Sequence, residues 1–247
     1  MFKKIILWAI VLIIVVLAAA YFGRNMLVKK AVVAGSDYAL GVETSLGSAA
    51  LNIGGGSLTL NKFTVDNPEG FTGTDFMSMR RGMIEVKGGS VLKDEVAVDS
   101  IIIDGITLNL EQIDRKGNFQ VLLNNIKRLD ASSSKSTQKF RIGLIAVRDV
   151  QVNGSLSLLG NKREKSFTLE NFSLRDVGSD NGATISQVTA IVVKTLITKA
   201  LAAGGGNLPE GFGANLTDLK EQGVEKVTTE AANKLKDLGK SLTGEKK

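Results

Sequence analysis

The feature that most constrains the fold is a pattern of apolar residues that interrupts its own alternation. With h for an apolar residue and x for any other, it reads h-x-h-x-x-h-x-h and first occurs in LTLNKFTV (58–65). Period-two alternation predicts a strand with one buried face, and one extra residue would normally turn the rest of the strand over. A β-bulge or a sharp kink at the break keeps the apolar side chains on one face. A short turn at each break is the alternative.

The pattern occurs four times. Its apolar positions are Leu58, Leu60, Phe63 and Val65; Val96, Val98, Ile101 and Ile103; Phe140, Ile142, Ile145 and Val147; and Phe167, Leu169, Phe172 and Leu174. The second and third copies align as EVAVDSIIIDGITLNL (95–110) against KFRIGLIAVRDVQVNG (139–154). The first and fourth align as LTLNKFTVDN against FTLENFSLRD. We therefore predict a mainly β fold with flanking helices, built on a curled antiparallel sheet with bulged strands.

These sixteen residues are the candidate lining of an apolar groove, because they are the positions that would share a concave sheet face. Two interpretations remain open. Most apolar strand faces are simply core, which favours an ordinary twisted sheet with a closed interior. The other interpretation is a trough whose apolar inside is open to a ligand.

The N-terminus predicts a membrane anchor. Residues 5–22 carry no charge, and as a helix they would be about 27 Å long, close to the hydrocarbon thickness of a bilayer. Trp8 and Tyr21 lie near the two ends, where interfacial aromatic residues are common. A cleaved signal peptide with its cleavage site at Ala18–Ala20 is the alternative. We expect a retained single-pass anchor with a cytoplasmic N-terminus and the bulk of the chain exported.

Composition narrows the function. The 247 residues include no cysteine and no histidine, so disulfides and zinc-thiolate sites are excluded and the commonest general base is missing. Aromatic residues are 5%, too few for the stacking platforms of single-strand nucleic-acid binders, and the net charge is only +6. We expect neither catalysis, nor a cofactor, nor nucleic-acid binding. The acidic residues of one strand region are ordinary surface charge on this interpretation, and they are Asp99, Asp104, Glu111 and Asp114.

The remaining chain predicts helices and connections. NPEGF (67–71) is typical of a type I turn with Gly70 in the fourth position. A short amphipathic helix near 118–129 has Asn118 as a candidate N-cap. A polar linker (131–138) and an amphipathic helix over 216–242 follow. Residues 184–203 favour a helix by their length, although their β-branched content also suits a strand. The predicted divisions are an anchor with a helical extension (1–34), a β domain (35–180) and a helical C-terminal segment (181–247).

Several motifs occur here in one order. An apolar span precedes NPEGF (67–71), IIIDGITLNLE (101–111) and NFQVLLNNI (118–126). In this order and spacing, over residues 1–126, the chain resembles the N-terminal region of AsmA-like proteins, which are bacterial envelope proteins anchored in the inner membrane. The resemblance implies a curled β groove related to bridge-like lipid-transfer proteins, and a role in outer-membrane biogenesis or phospholipid traffic. Ile106 stands where the family often has proline, and the chain is too short for a groove that spans a periplasm.

The functional expectation combines these observations. We expect an inner-membrane-anchored periplasmic protein whose apolar β groove binds or transfers phospholipid, or another acyl-chain lipid, in cell-envelope biogenesis. The alternative is a structural module with a closed core that recruits an envelope protein partner.

Overall fold

The structure is a computed structural model that describes residues 23–52, 54–87, 89–90, 93–130, 138–179 and 181–212. Half of the fold is a sheet, and helices flank it. The helices are α1 (23–40), α2 (Asn118–Asp130) and α3 (Ile185–Ala203). The strands are β1 (Thr44–Asn52), β2 (Ser57–Asp66), β3 (Asp75–Val86), β4 (Glu95–Ile113), β5 (Lys116–Gly117), β6 (Lys139–Leu158), β7 (Asn161–Leu169) and β8 (Phe172–Val177). The predicted mainly β fold with flanking helices is confirmed.

The eight strands form one mixed sheet. Strands β1 to β4 are an antiparallel meander, β6 lies beside β4, and β7 and β8 pair with successive parts of β6. The prediction of an entirely antiparallel sheet is wrong, because β4 and β6 run parallel. The chain reverses at the short β5, and the crossover through α2 then returns it to the end of the sheet where β4 began. A crossover of this length is what a parallel pair requires.

The parallel pair places two copies of the repeat side by side. Glu95 is opposite Lys139, and the register continues along both strands to Ile113 opposite Ser157. This register is the same as the alignment of the second and third sequence copies, residue for residue. The repeat in the sequence is therefore a repeat in space.

A first kink row crosses the sheet where the alternation breaks. It consists of Gly47, Lys62, Arg80, Gly105 and Asp149, one residue on each of β1, β2, β3, β4 and β6. Lys62, Gly105 and Asp149 have left-handed φ angles of 55°, 71° and 52°. Each strand contributes one extra residue at the same level, so the pairing resumes in register on the far side. The strands are kinked at the break in the alternation, which was one of the two forms considered, and the prediction of bulged strands is wrong for this row. The kinks are not bulges here, because no strand has two residues opposite one.

A second kink row lies nearer the start of β4 and consists of Asp99, Gly143 and Asp176, on β4, β6 and β8. Asp176 also has a left-handed φ, 55°. On β3 there is no matching extra residue, and the register shifts between Glu85 and Val86, which is a true bulge. On both sides of each row the apolar side chains stay on one face.

The helices cover much of this apolar face. Ser36 of α1 lies 3.4 Å from Thr189 of α3, measured between the hydroxyl oxygens. Asn125 of α2 donates its side-chain N–H to the carbonyl oxygen of Leu40, at the end of α1, over 2.7 Å. On α3, Leu196 and Ile197 are fully buried. The three helices therefore contact one another as well as the sheet.

Helix α1 also occupies the open edge of β1. Asn25 accepts a hydrogen bond from the backbone N–H of Leu51, and Asp37 accepts one from that of Thr44, over 2.9 and 2.7 Å. An uncovered edge would present free backbone groups to other chains. Side chains of α1 satisfy two of these groups.

The helices predicted from the sequence are present wherever the structure describes the residues. The predicted helices near 118–129 and over 184–203 are confirmed, and α3 begins with a capping box between Thr184 and Gln187. Within the described residues, α3 is the one helix long and apolar enough to cross a membrane, and 39% of its most apolar 18-residue stretch is buried inside the protein. The predicted anchor over 5–22, nearly all of the linker and the helix over 216–242 lie outside the described residues.

One compact unit ends at Pro209 and includes α3 together with the sheet. The second unit comprises 210–247, of which the structure describes 210–212.

Replacing Gly105 with alanine is expected to lower the free energy of unfolding by about 1 to 3 kcal/mol. A left-handed φ disfavours any side chain there, and the new Cβ would lie 2.7 Å from Cζ of Arg80. The guanidinium of Arg80 passes over this position to reach Asp104 and Asp149. Urea denaturation of the detergent-solubilised chain would measure the effect.

The matched control is Gly160→Ala, where φ is also left-handed at 83° but no atom lies within 4 Å of the new Cβ. Gly105→Ala should therefore cost more than Gly160→Ala. Equal losses would show that the side chain of Arg80 adds no steric constraint at the kink.

Candidate functional site

The sixteen candidate groove residues all lie on the apolar face, but most of them are core. Ten are buried, and they are Leu60, Phe63, Val65, Val96, Val98, Ile103, Ile142, Ile145, Val147 and Leu169. Six are half-buried, and they are Leu58, Ile101, Phe140, Phe167, Phe172 and Leu174. The ring face of Phe172 is also covered, because the ammonium of Lys199 lies 5.0 Å from the centre of the ring. The helices leave only part of the predicted lining accessible.

Two of the half-buried residues, Leu58 and Ile101, belong to a continuous row, which we name the apolar strip: Leu51, Leu58, Ile84 and Ile101. These four side chains are direct cross-strand neighbours on β1, β2, β3 and β4, and each is half-buried. The next residue in the row, Ile145 on β6, is completely buried. The half-buried row therefore ends at β6.

Two members of the apolar strip were missed by the sequence analysis. Ile84 lies on β3, where Arg81 and Gly82 interrupt the alternation that identified the other strands. Leu51 is the next-to-last residue of a strand in which most residues are small or polar. Their cross-strand register with Leu58 and Ile101 is the signal that places them, and register is not visible in one strand alone.

The apolar strip begins beside the first described turns of α1. Asn25, whose side chain accepts the hydrogen bond from Leu51, comes three residues after the predicted membrane span. On the same helix Met26 and Leu27 are 60% and 66% exposed.

A second site, on the outer face, is organised by the carboxylate of Glu111, which is 5% exposed. It accepts hydrogen bonds from the backbone N–H and the hydroxyl of Thr72, over 2.9 and 2.5 Å, and from the side-chain amide of Asn67, over 3.2 Å. The loop 67–74, which contains NPEGF, is thereby held against β4. Glu111 is a structural clamp, whereas the sequence analysis treated it as ordinary surface charge.

Asn118 connects this clamp to α2. Its side-chain oxygen accepts from the backbone N–H of Glu111 and of Phe119, over 2.9 and 2.7 Å, and its amide donates to Asn67 over 3.0 Å. An N-cap would instead accept from the second or third residue of the helix. The predicted capping role of Asn118 is therefore wrong. The side-chain amide of Asn118 bonds both β4 and the loop 67–74. The motifs NPEGF, IIIDGITLNLE and NFQVLLNNI therefore meet in one hydrogen-bond network.

The NPEGF turn also differs from its prediction. The turn is centred on Glu69 and Gly70, one residue later than expected, and Gly70 has φ of 92°. A left-handed residue in the third position is a feature of type II turns, not type I. Asn67 therefore precedes the turn, and its side-chain amide donates hydrogen bonds to the carboxylate of Glu111 and to the carbonyl oxygen of Gly73.

Two opposing effects act on the pKa of Glu111. Burial alone would raise it, because the charged form loses its hydration. The hydrogen bonds from Thr72, Gly73 and Asn67 favour the charged form, and together they lower the pKa below its ordinary value. The carboxylate therefore stabilises the folded state in its ionised form.

A polar depression of about 310 Å³ adjoins the clamp on the outer face. Its side chains are largely paired with one another: Asn153 donates to Asn109 over 2.9 Å, and Ser166 donates to Asn153 over 2.8 Å. Lys162 forms an ion pair with Glu164 over 2.6 Å, which raises the pKa of Lys162. Among the described residues there is no group of three or more acidic side chains that could hold a metal ion. The depression thus presents few groups free to bind a ligand.

No family model, no curated protein and no solved structure matches this chain.

Glu111→Gln is expected to lower the free energy of unfolding by about 2 kcal/mol at neutral pH, because it removes a charged acceptor of several hydrogen bonds. The pKa of Glu111 is lowered in the folded state, so its contribution is complete above the unfolded pKa of about 4.3. It declines as the pH falls below that value. Urea midpoints measured from pH 7 to pH 3 should show a smaller loss on acidification for Glu111→Gln.

The control is Glu164→Gln, in the same cross-strand row but exposed. It should change the midpoint little, as expected for a surface ion pair. If both variants lost the same stability and kept the same pH dependence, Glu111 would not be the clamp of the loop.

Proposed function

We propose that this protein is a lipid-binding component of the bacterial cell envelope, held in the inner membrane by its N-terminal segment, with its β domain in the periplasm. The apolar strip receives an acyl chain of a phospholipid or a similar lipid. The protein acts by binding, not by catalysis, and serves outer-membrane biogenesis. The observation that carries the proposal is the half-buried strip beside the start of α1.

The chemistry of the strip suits an acyl chain. Its four side chains are aliphatic, and no polar side chain interrupts the row. At about 4.8 Å between strands the row is about 14 Å long. Each methylene removed from water on this surface contributes about 0.8 kcal/mol. A chain lying along the row would also complete the burial of all four side chains.

The position of the strip suits entry from a membrane. Asn25 fixes the start of α1 to Leu51, at one end of the strip. A lipid leaving the bilayer beside the predicted anchor would meet apolar side chains without crossing open water. The buried Ile145 closes the far end of the row, so the geometry favours binding or hand-over at the membrane over a continuous conduit.

A second candidate function has its own observation. Ten of the sixteen predicted groove residues are buried, as in a closed core. A protein whose sheet face is filled by its own helices can act as an envelope scaffold that recruits a protein partner. The two candidates differ in whether the apolar strip is a binding surface or the rim of a core.

Two substitutions on the same face of β4 separate these candidates. Ile101→Glu, in the half-buried strip, should leave the fold standing because the carboxylate can reach water, yet it should abolish lipid binding. Ile103→Glu, at a position 9% exposed, should unfold the domain, because burying an unpaired charge lowers the free energy of unfolding by several kcal/mol. Circular dichroism during thermal unfolding would record both stabilities.

Lipid binding is measured with the full chain in nanodiscs that contain a phospholipid with a photoreactive acyl chain. Peptide mass spectrometry should find adducts on 51–58 and 84–101 in the wild type and not in Ile101→Glu. Adducts on residues 5–22 provide the internal control for labelling. Absence of strip adducts in the wild type, or unfolding of Ile101→Glu to the same extent as Ile103→Glu, would exclude lipid binding at the strip and support the scaffold.

A further inference from the structure

The hairpin between β6 and β7 exposes leucine where the turn chemistry disfavours it. Leu158 pairs with Asn161, so the loop consists of Leu159 and Gly160 alone. Both have left-handed φ angles, 50° and 83°, as in a type I′ turn. The preferred pair in this turn is Asn-Gly, because asparagine tolerates the left-handed region and leucine does not. Leu159 is nevertheless 95% exposed.

The strained leucine is not explained by packing. With its side chain almost completely exposed, Leu159 contributes little to the core, and Leu158 beside it is 43% exposed. No atom lies within 4 Å of the position that a Cβ on Gly160 would occupy, so the tip projects into open space. Two adjacent leucines are thus presented to the surroundings at the end of the sheet.

Basic side chains surround this tip. The turn between β4 and β5 lies beside it, because the backbone N–H of Asp114 donates to the carbonyl of Ser157 over 2.8 Å. Arg115 of that turn and Lys116 at the start of β5 are both exposed. Lys162 and Arg163 follow the hairpin on the other side and are exposed as well.

The charge balance at this end is positive. Four cations face two local acids, Asp114 and Glu164, and Glu164 is paired with Lys162. An apolar projection with a basic rim fits the boundary between the headgroups and acyl chains of an anionic lipid surface, where leucine leaves water and the cations meet lipid phosphates.

We propose that the β6–β7 tip inserts Leu158 and Leu159 into an anionic lipid surface, with Arg115, Lys116 and Arg163 on the headgroups. The tip is at the C-terminal end of β6, whereas Ile145, which adjoins the apolar strip, lies in the N-terminal half of that strand. The contact is therefore a separate membrane-binding site, and it does not depend on lipid entering the strip.

The test uses the full chain in nanodiscs of phosphatidylcholine, so that the predicted anchor is already occupied. These nanodiscs are mixed with fluorescent vesicles of 30% phosphatidylglycerol in phosphatidylcholine, and flotation measures the fraction captured. We expect capture by the anionic vesicles, weaker capture at high salt, and little capture by vesicles of phosphatidylcholine alone.

Leu159→Asn is the decisive variant, because it creates the favoured Asn-Gly turn and should preserve or raise the thermal midpoint. It should lower the vesicle partition coefficient about tenfold through the loss of one inserted leucine. Val121→Gln is the matched control: it removes an apolar side chain that is 36% exposed on α2, and it should bind as the wild type does.

Three results would overturn the proposal: no capture of the wild type by anionic vesicles, equal capture of the wild type and Leu159→Asn, or equal loss in Val121→Gln. Substitution of both Arg115 and Lys116 by glutamine should remove most of the salt-sensitive part of the binding. If a photocrosslinker at position 159 gave one defined protein adduct in membranes while vesicles captured nothing, the tip would be a protein-docking site and the lipid assignment would be wrong.

Discussion

The architecture depends on the hydrogen-bonded register of strands that all change direction at the same level. A strand with one extra residue would normally expose the apolar side chains beyond it, because side chains alternate between the two faces. In the first kink row, five neighbouring strands each contribute an extra residue, so every pair resumes in register. The apolar face therefore remains continuous across the kink. The helices that cover this face, and the apolar strip they leave accessible, both follow from that continuity.

The two faces of the sheet stabilise the bend in different ways. On the apolar face, long aliphatic rows pack under α2 and α3, while α1 follows the edge of β1. On the outer face, short polar connections cross the strands: Arg80 spans the kink between Asp104 and Asp149, and Glu111 holds the loop after β2. These polar contacts join residues far apart in sequence. They are directional, whereas the apolar packing fixes only which face is inside.

Local patterns in the sequence were sufficient for the kinked strands and for two helices, since both depend on periodicity within a short segment. Alternation does not distinguish parallel from antiparallel neighbours, so the β4–β6 pairing was not predicted even though the aligned copies contain its register. Phe63 and Val147 are buried, whereas Leu58 and Ile101 are half-buried. This difference depends on where the helices lie, and the sequence of a single strand does not predict it. Glu111 was underestimated for a similar reason: Thr72 and Asn67, which bond it, lie about forty residues away.

The parallel pairing of two like segments has a geometric consequence. In an antiparallel pair, neighbouring strands are related by a rotation that reverses the chain. In β4 and β6, successive strands are instead related by a translation of about 4.8 Å with a small twist. Equivalent residues therefore lie directly beside one another, and the kinks of the two strands are at the same level. A further copy of the same segment, added by duplication, would have its kinks at the same levels as those of its neighbour. A sheet of this kind can therefore gain whole segments and keep its curvature.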